Sequence, residues 1–186
     1  MSLREITQKA EAKMKKSVES FQHEIAAIRT GKATTALLDR VKVDAYGQTM
    51  PLKQIGNVGV QDAHTLMVQV WDKSMVAAAE KAIRDANLGL NPVAEGQSIR
   101  VSIPPLNEER RKEYVKLTKK YGEDAKIALR NLRREMLHGA DKLEKDKEIG
   151  EDAKANCKKD ADNLVHKYEK QISDMIVQKE KEIMEV

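Results

Sequence analysis

The chain has 186 residues, enough for one or two domains, and 34% of them are charged while only 3% are aromatic. That composition excludes a conventional thick core and suits long helices packed along narrow stripes of Leu, Ile, Met and Ala. A formal net charge of +4 permits a nucleic acid as partner without requiring one, and the single cysteine, Cys157, excludes an internal disulfide or a cysteine-based metal cluster.

The first 16 residues, MSLREITQKAEAKMKK, lack the apolar run of a secretory signal. Nowhere does an apolar run approach the roughly 18–20 residues of a membrane span, so a cytoplasmic protein with no membrane partner is expected. Residues 3–29 predict an amphipathic helix, with Met14, Val18, Phe21, Ile25 and Ile28 stepping by four and three. The pattern stops at Thr30-Gly31 and alternation takes over: Val41, Val43 and Ala45, then Leu66, Val68 and Val70, then Ile99, Val101 and Ile103. Gly47-Gln48, Gly56-Asn57 and Gly59 punctuate these strands, and a short helix with Ser74 as its N-cap runs to about Ala86.

After Pro104-Pro105 the helical period returns from about Asn107. Tyr114, Leu117, Tyr121, Ala125, Ala128, Leu132, Met136, Gly139 and Leu143 form one stripe, on a helix about 60 Å long if it reaches residue 147. Ile149-Gly150 breaks it, and a last helix carries Cys157, Ala161, Leu164, Tyr168, Ile172 and Met175 on one face. Narrow stripes on three helices can be buried only against one another. The expectation is therefore an α+β protein: a three-helix bundle from residues 1–29 and 107–186, and an inserted α+β domain over 31–104. Two crossings join them, near 29–32 (Thr30, Gly31, Lys32) and 103–107 (Pro104, Pro105), and read as hinges.

With Leu132 at the centre of the buried stripe, Lys112, Lys116, Lys119, Lys126, Arg130 and Arg133 fall on the opposite half, with Arg134 beside them. Residues 107–134 hold ten Lys/Arg against five Asp/Glu, a net of +5, whereas 135–186 hold ten against fourteen, a net of −4. On periodicity alone a solvated face is the simpler reading. Two features favour a binding surface: the use of Arg, whose planar fork suits phosphate, and the mid-helix position, where no helix dipole calls for cations. No aromatic residue stands among the arginines, so backbone and shape contacts with folded RNA fit better than base stacking.

Other signals are weaker. RTGKATT (29–35) invites a phosphate-loop reading, but Ala26 and Ala33 occupy positions that need Gly and Ser/Thr, and Gly31 reads better as a helix C-terminal residue. His23, His64, His138 and His166 are dispersed and read as surface histidines, and Cys157 reads as core. No metal, cofactor or catalytic constellation is expected. A coiled-coil protein-interaction adaptor with a basic face is the competing class.

The stretches IRTGKA (28–33), YGQTMPLKQI (46–55), WDKSM (71–75), AIRDANLGLNP (82–92), IRVSIPPLNEERRKE (99–113), ALRNLRRE (128–135) and KDKEIGED (145–152) resemble bacterial ribosome recycling factors, in the same order and over the whole chain. The resemblance implies an L-shaped, two-domain molecule in which a small β/α/β domain is inserted into a long three-helix bundle at a flexible elbow. It implies a monomer that binds the post-termination ribosome and, with elongation factor G and GTP, splits it into subunits. Transfer RNA and messenger are released, and the chain itself performs no covalent catalysis. Carried over by residue, it places Arg130, Arg133 and Arg134 on ribosomal RNA of the large subunit, with Arg29, Arg110 and Arg111 next and Lys119 and Lys126 in the same basic row. Lys32 stands where the family often has Arg, and Gly150 where it often has Ser.

Overall fold

Two of the three long helices begin where a side chain takes up an orphan N–H group. A computed structural model describes residues 1–185. Helix α1 (Leu3–Ala26) opens on a capping box, the Ser2 hydroxyl accepting from Glu5 N–H while the Glu5 carboxylate accepts from Ser2 N–H at 2.7 Å. Six strands follow: β1 (Lys42–Ala45), β2 (Gln48–Pro51), β3 (Gly56–Asp62), β4 (Thr65–Val70), β5 (Asn91–Glu95) and β6 (Ser98–Ser102). Helix α2 (Val76–Asp85) lies between β4 and β5, and α3 (Glu108–Lys145) and α4 (Glu151–Met184) complete the chain. Asn107 caps α3, its Oδ1 accepting from Arg110 N–H at 2.8 Å. Gly150 caps α4 by position only, with no side chain to bond.

The chain divides into two compact units, Arg29–Arg111 and Met1–Ile28 with the chain from Lys112 onward. In the helical unit, Met14, Val18, Phe21 and Ile25 of α1 meet Ala125 and Leu129 of α3 and Val165, Tyr168 and Ile172 of α4. Towards the α3–α4 turn the core narrows to Ala10, Met136, Ala140, Cys157 and Ala161. Gly122 lets α3 and α4 approach closely, for a methyl there would overlap the Ile176 side chain. Across the turn, Lys154 is clamped between Asp141 (2.9 Å) and Glu144 (2.5 Å), which raises the lysine's pKa and, through the same contact, lowers that of Asp141.

In the other unit β3, β4, β6 and β5 form an antiparallel sheet in that order, and β1 and β2 form a separate hairpin. Leu66, Val68, Val70, Ile99 and Val101 turn one face of the sheet inward, onto Val76, Ala79 and Ile83 of α2 and Val41, Val43 and Ala45 around β1.

Several boundaries differ from the sequence reading. Helix α1 ends at Ala26, three residues early, so Gly31 is not its C-terminal residue but a separate turn with φ +78°. Asp72, not Ser74, caps the turn that leads into α2, its carboxylate accepting from Ser74 N–H. Strands β2, β3 and β5 carry no clear alternation: β3 contains Gly56 and Gly59, and β5 contains Pro92, compositions tolerated in edge strands. The α3 stripe is centred on Leu129, which is fully buried, rather than on Leu132, which is only partly covered.

Candidate RNA-binding surface

That change of centre decides where the basic row points. Leu129 faces the core, so Lys119, Lys126, Arg130 and Arg133 lie along the flank of α3 beside α4, not on its outer back. Helix α4 answers with acids at matching heights. Arg133 Nε donates to Asp162 Oδ1 at 2.6 Å, Arg130 Nε to Glu169 Oε1 at 3.2 Å, and Lys119 Nζ lies 3.6 Å from Glu180 Oε1. Arg130 also reaches Glu123, about two turns earlier on α3, at 3.4 Å.

These ion pairs neutralise the row only partly. Asp162 takes Arg133 by its Nε edge, and among the described residues the two terminal nitrogens of that guanidinium make no hydrogen bond. Arg134 is exposed, Lys126 is half-buried, and neither has an ion-pair partner among the described residues. Arg133 is thus a donor held at one edge and open at the other, beside the unpaired Arg134 and Lys126. Such a surface can take phosphate oxygens in bidentate fashion with little side-chain ordering still to be done.

The remaining predicted residues are less alike. Arg110 is exposed in the first turn of α3, while Arg111 is half-buried with its Nε covered and without a hydrogen-bond partner. Arg29 rests against Gly89, where an added Cβ would stand 3.0 Å from a terminal guanidinium nitrogen. Gly89 itself has φ +65°, so the backbone reserves this position for glycine.

The crossing residues are tied to one hairpin turn. Ala33 N–H donates to Ala63 O at 2.8 Å, Ile103 N–H donates to His64 O at 2.8 Å, and His64 Nδ1 lies 2.9 Å from Gly31 O. Thr30 and Gly31 are buried, whereas Lys32, Pro104 and Pro105 are exposed. His64 thus joins both crossings, a role its sequence gives no sign of, since Gly31 and Ile103 are brought to it only by the fold. No group of three His, Cys, Asp or Glu side chains converges on a metal-sized site among the described residues. Among them, too, no helix is long and apolar enough to cross a membrane.

The family model described as "Ribosome recycling factor" matches residues 21–184. The chain belongs to the ribosome recycling factor family. The ribosome-recycling factor of Chlorobium phaeobacteroides (strain BS1) is 99% identical over the full length of both chains, and that of Chlorobium phaeovibrioides (strain DSM 265 / 1930) is 77% identical, again over both full lengths. A solved structure described as the solution structure of the ribosome recycling factor is 44% identical, with a TM-score of 0.81, covering 100% of this chain and 99% of its own. A second match, at 39% identity and TM-score 0.68 over both full chains, comes from models of the T. thermophilus ribosome recycling factor and the E. coli elongation factor G bound to the E. coli post-termination complex. The fold of the ribosome recycling factor family, helical and α+β units in one chain, is the fold found here, and the adaptor reading is not favoured.

Proposed function

We propose that this chain recycles ribosomes after termination by seating the basic flank of α3 on the RNA of the large subunit. Acting with elongation factor G and GTP, it then separates the subunits and frees transfer RNA and messenger. One observation carries the reading: Arg133 is held through Nε alone, with its terminal nitrogens open beside the exposed Arg134. Arg130 and Lys126 extend that surface, with Lys119 further along α3 and Arg110, Arg111 and Arg29 as secondary contacts. The chain works as a cytoplasmic monomer without a cofactor and catalyses no covalent step; the GTP is hydrolysed by the partner factor. Thr30, Gly31, Lys32, Pro104 and Pro105 act as the hinge, letting the α+β unit move while the bundle stays anchored.

The test is light scattering of post-termination ribosomes mixed with this protein, elongation factor G and GTP. A fast loss of scattering that needs all three components is expected, and it is slowed by Arg133→Glu in a protein that still folds. A flat trace with an elongation factor known to be active on those ribosomes rejects the reading. Competition between free RNA and acidic proteins for the protein separates it from an adaptor, which would prefer the acidic protein.

A further inference from the structure

Of the six aromatic residues in the chain, two stand in solvent: Tyr46 is 62% exposed and Trp71, the single tryptophan, 64%. Folding does not account for Tyr46. With Gly47 it forms the two-residue turn of the β1–β2 hairpin, where Ala45 pairs with Gln48, and both turn residues have positive φ, 54° and 78°. Turns of this kind favour Asn-Gly, because a bulky side chain is disfavoured in the left-handed region. A tyrosine there stores backbone strain, and strain of this kind gathers where a side chain is kept for use.

The Tyr46 side chain is moreover fixed. Its hydroxyl donates to Asp72 Oδ2 at 2.7 Å, while Asp72 Oδ1 accepts from the Ser74 hydroxyl at 2.7 Å and from Ser74 N–H at 3.0 Å. The Ser74 hydroxyl and then Tyr46 hold the Asp72 carboxyl below the usual carboxylate range, and Asp72 in turn pushes the Tyr46 phenol up. A carboxylate offers about four acceptor positions, so these three bonds leave one open. Trp71 adjoins Asp72 in the chain and is anchored by its backbone, N–H to Ile55 O at 3.2 Å and carbonyl to Gln97 Nε2 at 2.9 Å. The segments meeting here, 44–49, 70–74 and 96–98, carry Asp44 and Asp72 against Lys73 alone. They lie at the end of the sheet remote from Gly31, His64 and Ile103, because β4 runs from Thr65 beside that turn to Val70 beside Gln97.

We propose that Tyr46, Asp72 and Trp71 form a receptor for a cationic side chain, arginine above all, presented by a basic protein segment. A guanidinium can stack on an aromatic face and donate to the open position on Asp72, which a hydrated ammonium does less well. Nucleic acid fits worse, since an ionised carboxylate fixed against the Tyr46 hydroxyl opposes phosphate.

Because Trp71 is the only tryptophan, its emission in the full-length protein reports this site alone. The probes are a synthetic peptide of alternating Arg and Gly, its Lys and Asp counterparts, and a short uridine oligonucleotide, all at low salt. A saturable change with the Arg peptide is expected, weaker with Lys and absent with Asp. Tyr46→Asn suits the left-handed turn, so its thermal midpoint should hold or rise while affinity for the Arg peptide falls about tenfold or more; Asp72→Asn should weaken it similarly. No saturation in the unmodified protein, or unchanged affinity in Asp72→Asn, overturns the proposal. Tighter saturation by the oligonucleotide than by the Arg peptide overturns it in favour of base stacking.

Discussion

Arg133 shows how one side chain can be both restrained and available. Its bond to Asp162 joins groups that are 31% and 41% exposed, so the pair contributes only about 0–1 kcal/mol to folding. Replacing Arg133 by Gln should therefore leave urea unfolding within about 1 kcal/mol of the parent. Binding to large subunits should weaken, and the slope of log K against log salt should become shallower by about 0.7–0.9 for the single phosphate that is no longer neutralised. An unchanged slope would remove Arg133 from the interface.

Tyr168 is restrained for stability instead. Burial first, and its hydrogen bond to Glu11 at 2.9 Å second, push its phenol from 10.0 up to about 12. The folded state then holds this proton more tightly than the unfolded chain. Its contribution is complete below pH 10.0 and is lost as pH rises towards about 12. Thermal melts across that window should show a falling midpoint, and Tyr168→Phe should flatten the fall while costing about 1 kcal/mol at neutral pH.

Among the elements, α3 shows what periodicity can and cannot decide. Its existence, length and polarity follow from the spacing of apolar residues, and its N-cap from Asn107. Its rotation does not, because Leu129 and Leu132 are both leucines about one turn apart, and choosing the wrong one turns the face by about 60°. That error hides the α4 acids from the basic row, whose members are otherwise visible as a rhythm of lysines and arginines. Leu129→Ala should cost about 2–5 kcal/mol in chemical unfolding and Leu132→Ala distinctly less, since only Leu129 loses a fully buried side chain. Equal losses would restore the stripe expected from spacing. The end of α3 falls within two residues of the expected 147, but by a device the spacing does not reveal. Lys147 takes the left-handed position at φ 58°, with Glu148 N–H bonded to Leu143 O and Lys147 N–H to Glu144 O, a helix ending that usually signals itself by glycine.

For the whole molecule, the change from helical to alternating patterning and back reads as a chain that leaves one unit and returns to it; the compact unit of the structure that holds the strands runs from Arg29 to Arg111, into the first turn of α3. His64 is illegible in the sequence because it acts on Gly31 and Ile103 together, a relation no local spacing encodes. The hinge we propose predicts a broad distribution of distances between fluorophores placed one on each unit of the free protein, narrowing on the ribosome. Distributions that are narrow and identical in both states reject it.

The same departure and return fixes when the molecule can become competent during its own synthesis. Residues 29–111 contain every strand and α2, so that unit has all its parts while α4 is still unmade. Helix α1 emerges first yet packs on residues of α3 and α4, such as Leu129 and Ile172, and waits for them on the order of ten seconds at ordinary elongation rates. A nascent chain thus presents an exposed amphipathic helix followed by a finished globule, and lacks the α4 carboxylates that pair with Arg130 and Arg133 until translation is almost over. The ion pairs of Arg133 with Asp162 and of Arg130 with Glu169 form only when α4 closes the bundle.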